Sequence, residues 1–237
     1  MRSEVQAPEN EPLSRERIAL VAVALADADG IEGLSMRKLA SELGTAPMSL
    51  YRHFANKEKL LDAMVDIVFG EMYSPAIGTD WKGELRKRGV SAREGLRHHP
   101  WANGLMETRI HPGAASAEHH NATMGCLREA GFPFREAVHA YNLLDSYMYG
   151  FALQEKALPF ETPDESAEMA ATTVGDRGTE YPYLAEVVTE FATSGGYDYT
   201  QEFEFGLDFI LDGLERFRTT IRRRRDRASR AGRPEDT

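Results

Sequence analysis

The chain has 237 residues, 42% of them apolar and 28% charged, which is enough to bury one mid-sized core or a small unit joined to a larger one. A formal net charge of -10 excludes polyanion binding driven by the whole-molecule field, so any such binding has to be local. Cys126 is the only cysteine, which excludes an intrachain disulfide and a cysteine-rich zinc site and fits a reducing compartment.

Residues 1–12 hold two prolines and read as a loose, polar arm without the apolar stretch of a signal peptide. Ser14 then caps a helix expected over about 14–28, with Ile18, Val21, Ala22, Leu25 and Ala26 at helical spacing and Gly30 past its end. Ser35 caps a second helix whose stripe is Met36, Leu39, Ala40 and Leu43, stopped at Gly44. A third segment follows within 45–54, where Leu50 and Phe54 lie four apart and face inward together. Asn56 caps a fourth helix carrying Leu60, Leu61, Met64, Val65 and Val68.

The second and third segments are too short to stand alone and need the first and fourth helices to cover their stripes. Short helix, tight turn, short helix is the helix-turn-helix pattern. Between residues 37 and 60, Arg37, Lys38, Arg52, Lys57 and Lys59 outnumber Glu42 and Glu58. Within an acidic molecule this local basic excess marks a surface suited to phosphate.

After about residue 75, "DWKGELRKRGVSAREGLRHHPWANGLMETR" reads as one or two helices and 121–130 as another, ended by Gly131. Pro133 opens a long amphipathic helix through "PFREAVHAYNLLDSYMYGFALQEKAL". Residues 159–180, acidic and broken by Pro, Gly and Thr, read as a loop or a loosely ordered insertion. "YPYLAEVVTEFA" is a short helix and "TQEFEFGLDFILDGLERFRTTI" the last one. No strand pattern stands out and no run of about eighteen apolar residues could span a membrane. The expected fold is all-α, with an N-terminal three-helix helix-turn-helix DNA-binding unit over 13–60, a larger helical domain over 61–220 and a basic flexible tail over 221–237.

Two residue groups in the larger domain bear on binding. Trp101, Leu105, Met106, Tyr141, Leu144, Tyr147, Met148 and Phe151 supply the soft apolar walls and polar tips of a small-molecule pocket, although a helical core uses the same residues as filling. His98, His99, His111, His119 and His120 crowd one window. Adjacent histidines on a helix point roughly 100° apart, so neither pair chelates by itself, though one member of each could combine with Glu107 or Glu118. No metal site and no cofactor is expected. On the last helix, Phe203, Phe205, Phe209, Ile210, Leu214 and Phe217 exceed what one buried face absorbs, which points to a dimer interface.

Over residues 14–66 the sequence resembles the tetracycline-repressor (TetR) family of transcriptional regulators, through "ALADADGIEGLSMRKLASELG" and "APMSLYRHFANKEKLLDAM". "CLREAGFPFREAVHAYNLLDSYMYGFALQE" is similar, more loosely, to the ligand-binding and dimerisation domain of the tetracycline repressor branch. The resemblance implies a cytoplasmic homodimer that binds palindromic operator DNA and is released by a small, largely apolar effector. It makes Thr45 to His53 the reading helix, with Ala46, Pro47, Met48 and Arg52 on it. Ser49 and Tyr51 fall near phosphates or base edges and His53 near a phosphate. Lys57 meets the DNA backbone at the start of the fourth helix, and Arg37 and Lys38 touch backbone rather than bases. Met48 stands where tetracycline-responsive members carry a proline, so the base sequence read is expected to differ.

Two alternatives stay open at this stage. One is a DNA-binding dimer that takes no inducer. The other is an all-α enzyme or carrier using the histidine cluster, although no nucleophile–base set, Gly-rich phosphate loop or HExxH supports it. Cys126, in "TMGCLREAG", reads as packed rather than reactive.

Overall fold

The computed structural model describes residues 12–78, 80–106, 108–109, 113–173 and 180–231. Among them are eleven α-helices and no strand. They are α1 (Arg15–Asp29), α2 (Met36–Glu42), α3 (Pro47–Tyr51), α4 (Lys57–Glu71), α5 (Trp81–His98) and α6 (Asn103–Met106), then α7 (Ala114–Glu129), α8 (Phe134–Lys156), α9 (Pro163–Thr173), α10 (Pro182–Thr193) and α11 (Tyr199–Ala231).

The chain forms two compact units, one of residues up to 74 with 94–122, the other of 75–93 with 123 onward. In the first, the expected caps are in place. Ser14 Oγ accepts the Arg17 amide, Ser35 Oγ the Lys38 amide and Asn56 Oδ1 the Lys59 amide, at 3.1, 3.1 and 2.9 Å. Each satisfies an otherwise orphaned N–H of a first turn. Ile18, Ala22, Leu39, Leu50, Phe54, Leu60 and Met64 are buried together as the core of this unit.

The second unit packs α8 on α11 and on the first half of α5. Leu85, Ala92, Leu127, Phe132, Ala140, Leu144, Met148, Phe203, Leu207 and Leu211 are among its buried residues. Gly89 lets α5 approach α11 closely, because a Cβ there would meet the Leu207 side chain. Charged pairs flank this core: Arg86 reaches Glu204 and Asp208 at 2.8 Å each, and Lys82 pairs with Asp212. Cys126 is fully buried, and burial, then Glu84 and Asp80, pushes its thiol up to about 11, so it stays protonated and packs as an apolar group.

Three boundaries differ from the sequence reading. The stretch expected as a loop over 159–180 contains α9, which a capping box starts. The Thr162 Oγ1 accepts the Glu165 amide while Glu165 Oε2 accepts the Glu161 and Thr162 amides, with Pro163 opening the helix. Residues 174–179 of that stretch lie outside the described residues. α7 begins at Ala114 rather than near 121. α11 continues to Ala231, so the part of the expected tail up to that residue is helical, and 232–237 lie outside the described residues, as do 1–11 of the arm.

Candidate nucleic-acid interface

The turn between α2 and α3 is set by Gly44, whose φ of 62° lies in the left-handed region that glycine enters without strain. The Thr45 amide returns to the Ala40 carbonyl at 2.9 Å, and Pro47 opens α3. Leu50 and Phe54 are completely buried, as their spacing requires. The opposite side of α3 therefore faces out: Met48 is 73% exposed and Tyr51 43%. Arg37, Lys38, Ala46, Pro47 and Arg52 are also exposed, and Thr45, Ser49, His53 and Lys57 are half-buried.

Several of these side chains already have partners within the unit. Lys38 Nζ pairs with Asp29 at 2.6 Å. Lys57 Nζ donates to the Leu34 carbonyl at 2.7 Å, so its ammonium is turned inward rather than held out beside the α4 N-terminus. Lys59 pairs with Asp62 at 3.1 Å. The basic excess counted between residues 37 and 60 is thus reduced by Asp29 and Asp62, which lie outside that window, and the exposed guanidinium groups of Arg37 and Arg52 carry its remaining weight. Arg15 escaped the sequence reading altogether. Its Nη1 donates to the His53 carbonyl at 2.8 Å and its guanidinium lies 4.2 Å over the Phe54 ring, which fastens the end of the reading segment to α1.

The eight residues expected to line an effector pocket divide between the two units. In the first, Trp101 and Met106 are buried and Leu105 is half-buried. The Trp101 Nε1 donates to Asp27 Oδ1 at 2.6 Å. In the second, Leu144 and Met148 are buried, and Tyr141, Tyr147 and Phe151 half-buried. Tyr147 is more committed than its free-tip reading implied. Its hydroxyl donates to the Phe203 carbonyl at 2.9 Å and its ring stacks on Phe203 at 5.5 Å.

The α8 cluster also has a polar centre that sequence reasoning missed. Arg88, 1% exposed, donates to Asp145 at 2.6 Å and lies 5.6 Å from the Tyr141 ring centroid. Burial, followed by Asp145, pushes the Tyr141 hydroxyl far above its ordinary range, so it stays protonated. The available signal was Tyr141 and Asp145 four apart on one helix, but Arg88 was hidden among the basic residues of "ELRKRG". A cleft of about 480 Å³ in the first unit is different in character. Arg15, Glu16, Lys59, Asp62 and Asp66 line much of it, and it contains none of the eight expected residues.

The histidines serve packing and hydrogen bonding. His98 Nδ1 lies 3.1 Å from the Glu94 carbonyl, and His99 lies between Asp27 and Glu71. His119 and His120 pack on Phe69 with centroids 5.5 and 5.2 Å away. Glu118 is exposed, while Glu107, His111 and Pro112 lie outside the described residues. Among the described residues, no three potential ligands are grouped to hold a metal ion, and no helix is long and apolar enough to cross a membrane.

A capped α2, a glycine turn and an outward-facing α3 braced by α1 and α4 define a helix-turn-helix protein, here with a larger helical domain attached. Comparison with known proteins agrees for both parts. Residues 18–64 match the model of "Bacterial regulatory proteins, tetR family", and residues 74–218 that of "Tetracyclin repressor-like, C-terminal domain". The chain is 30% identical over 214 residues to an HTH-type transcriptional regulator of Saccharopolyspora erythraea, covering 90% of this chain and 89% of that one. It is 35% identical over 216 residues to the HTH-type transcriptional repressor DrrR1 of Streptomyces coeruleorubidus, covering 86% and 77%. Among solved structures, ActR of Streptomyces coelicolor in complex with actinorhodin superposes with a TM-score of 0.72 at 28% identity, covering 88% of this chain and 99% of that one. The chain belongs to the TetR family of transcriptional regulators.

Proposed function

We propose that this protein is an effector-responsive repressor that binds palindromic operator DNA as a homodimer and is released by a small, largely apolar molecule. The observation that carries the reading is the two-sidedness of α3 and the turn that ends it: Leu50 and Phe54 inside, Met48, Tyr51 and Arg52 outside. Met48 and Tyr51 are exposed where they stand, and an exposed side chain next to arginines suits a major groove and its phosphates. The repressor reading is supported by the similarity to the transcriptional repressor DrrR1, and a bound effector by the actinorhodin in the ActR complex. Tyr141, Leu144, Met148 and Phe151, all on α8 of the second unit, are the side chains assigned to that effector.

A second copy would cover α11. Phe205 and Phe209 are 70% and 64% exposed on a helix whose other side, Phe203, Leu207 and Leu211, is buried. Two apolar faces on one helix call for two partners, and α8 supplies only one. Exposed Leu143 and Leu153 extend the same kind of surface on α8.

The experiment is a gel shift with the intergenic DNA beside the gene across a salt series, using the wild type and Tyr51→Ala. Sequence-specific retention that weakens steeply in salt is expected of the wild type. Tyr51→Ala is expected to lose roughly 1–3 kcal/mol of specific binding while the dimer and its melting temperature stay unchanged. Unchanged binding with a destabilised N-terminal unit would show that the ring is structural and would overturn the assignment.

A further inference from the structure

His99, in the link between α5 and α6, is 8% exposed and touches a carboxylate with each ring nitrogen. Nδ1 is 2.7 Å from Asp27 Oδ1 on α1, and Nε2 is 2.8 Å from Glu71 Oε2 at the end of α4. A neutral imidazole has one N–H and one lone pair. It can donate to one of these carboxylates, but its lone pair would then face the other. Only the doubly protonated ring satisfies both contacts, so the geometry itself specifies an imidazolium. Trp101 Nε1 shares Asp27 Oδ1 at 2.6 Å, giving that oxygen a second contact and holding the Asp27 side chain in place.

The two carboxylates lie on opposite edges of the ring, so they cannot close on one metal ion together with it. Instead the ring ties three elements of the first unit to one another: α1, the end of α4 and the corner between α5 and α6. α1 braces the end of the reading segment through Arg15 on Phe54, and α4 is tied to the residue before the α2 cap through Lys57 on the Leu34 carbonyl.

We propose that His99 is a positioning residue for DNA binding, an imidazolium clasp that fixes α1 and α4 on the α5–α6 corner and releases them when it loses a proton. The inference rests on the regulator reading above. Burial opposes the charge, and the hydrogen bonds to Asp27 and Glu71 overcome it, so the pKa of His99 is raised above its ordinary 6.5. A raised pKa gives a clasp fully present below 6.5 and lost as pH rises through the folded-state value. His98, whose ring centroid is 6.5 Å from that of His99, lies beside Glu94, as does Arg97, and all three are exposed, so solvent screens them more than it screens His99.

The test uses the full-length protein. In a nitrogen-resolved NMR titration, both His99 ring nitrogens are expected to be mostly protonated at pH 6.5. Glu71→Gln, which alters a half-exposed side chain, is expected to move that titration to lower pH. A neutral tautomer of His99 at pH 6.5 would overturn the proposal. DNA retention and thermal unfolding are then compared for the wild type and His99→Gln between about pH 6.5 and 8.5. One proton bound more tightly in the clasped state changes the wild-type equilibrium by up to about tenfold per pH unit in each protomer. Wild-type affinity falling with pH more steeply than that of His99→Gln is the expected result. Equal pH dependence in the two proteins would overturn the positioning role, and Glu71→Gln provides the same comparison if His99→Gln does not fold. A wild type that retains no DNA at any pH, yet shows the expected ring titration, would overturn the regulator reading and leave the clasp standing.

Discussion

Replacing Asp145 by asparagine would leave Arg88 with its charge and without its counter-ion in the interior of the larger domain. Arg88 is 1% exposed at the side chain and Asp145 10%, and the two meet at 2.6 Å. An arginine stays protonated at any accessible pH, so it has no means of shedding the charge once its partner is gone. Removing one member of a buried pair costs about 3–5 kcal/mol. For a chain of this size each kcal/mol moves the melting temperature by about 2–4 °C, which gives an expected drop of roughly 6–20 °C. The assay is thermal unfolding followed by circular dichroism at a fixed protomer concentration, because the stability of a dimer depends on it. Arg88→Met with Asp145→Leu, which replaces both charges by apolar groups, is expected to return close to the wild-type value. A loss under about 1 kcal/mol for Asp145→Asn would mean that water reaches the pair, as at a surface ion pair, and would refute the reasoning.

Two further outcomes follow from side chains already placed. Lys57→Met keeps the stem and removes the donor to the Leu34 carbonyl. It is expected to destabilise the N-terminal unit by about 1 kcal/mol without changing the salt dependence of DNA binding, whereas a fall in the salt slope of about 0.9 would show that the ammonium meets a phosphate. Phe209→Glu puts a charge on a side chain that is 64% exposed in the single chain. Sedimentation is expected to show monomers, and an undiminished dimer would exclude this face of α11 from the interface.

The sequence by itself determined the all-α fold, the caps at Ser14, Ser35 and Asn56, the turn at Gly44 and the inward pair Leu50 and Phe54, because each depends on residues within a few positions of one another. The family resemblance turned Ser49, Tyr51 and His53 toward DNA, and the structure leaves Tyr51 exposed and Ser49 and His53 half-buried. α9 was equally local, and its Thr162–Glu165 capping box was legible in principle but masked by the surrounding Pro, Gly and Thr. What only the tertiary structure decided are the partners of charged groups. Arg88 finds Asp145 across 57 positions, Arg15 finds the His53 carbonyl across 38, and His99 finds Asp27 across 72. The same holds for Lys38 and Lys57, which sequence reading turned toward DNA and the fold turns toward Asp29 and the Leu34 carbonyl. Apolar periodicity tells which face of a helix is buried, because burial depends on the average character of that face. An ion pair depends on one particular atom of a distant helix arriving within about 3 Å, and that is fixed only when the helices have packed.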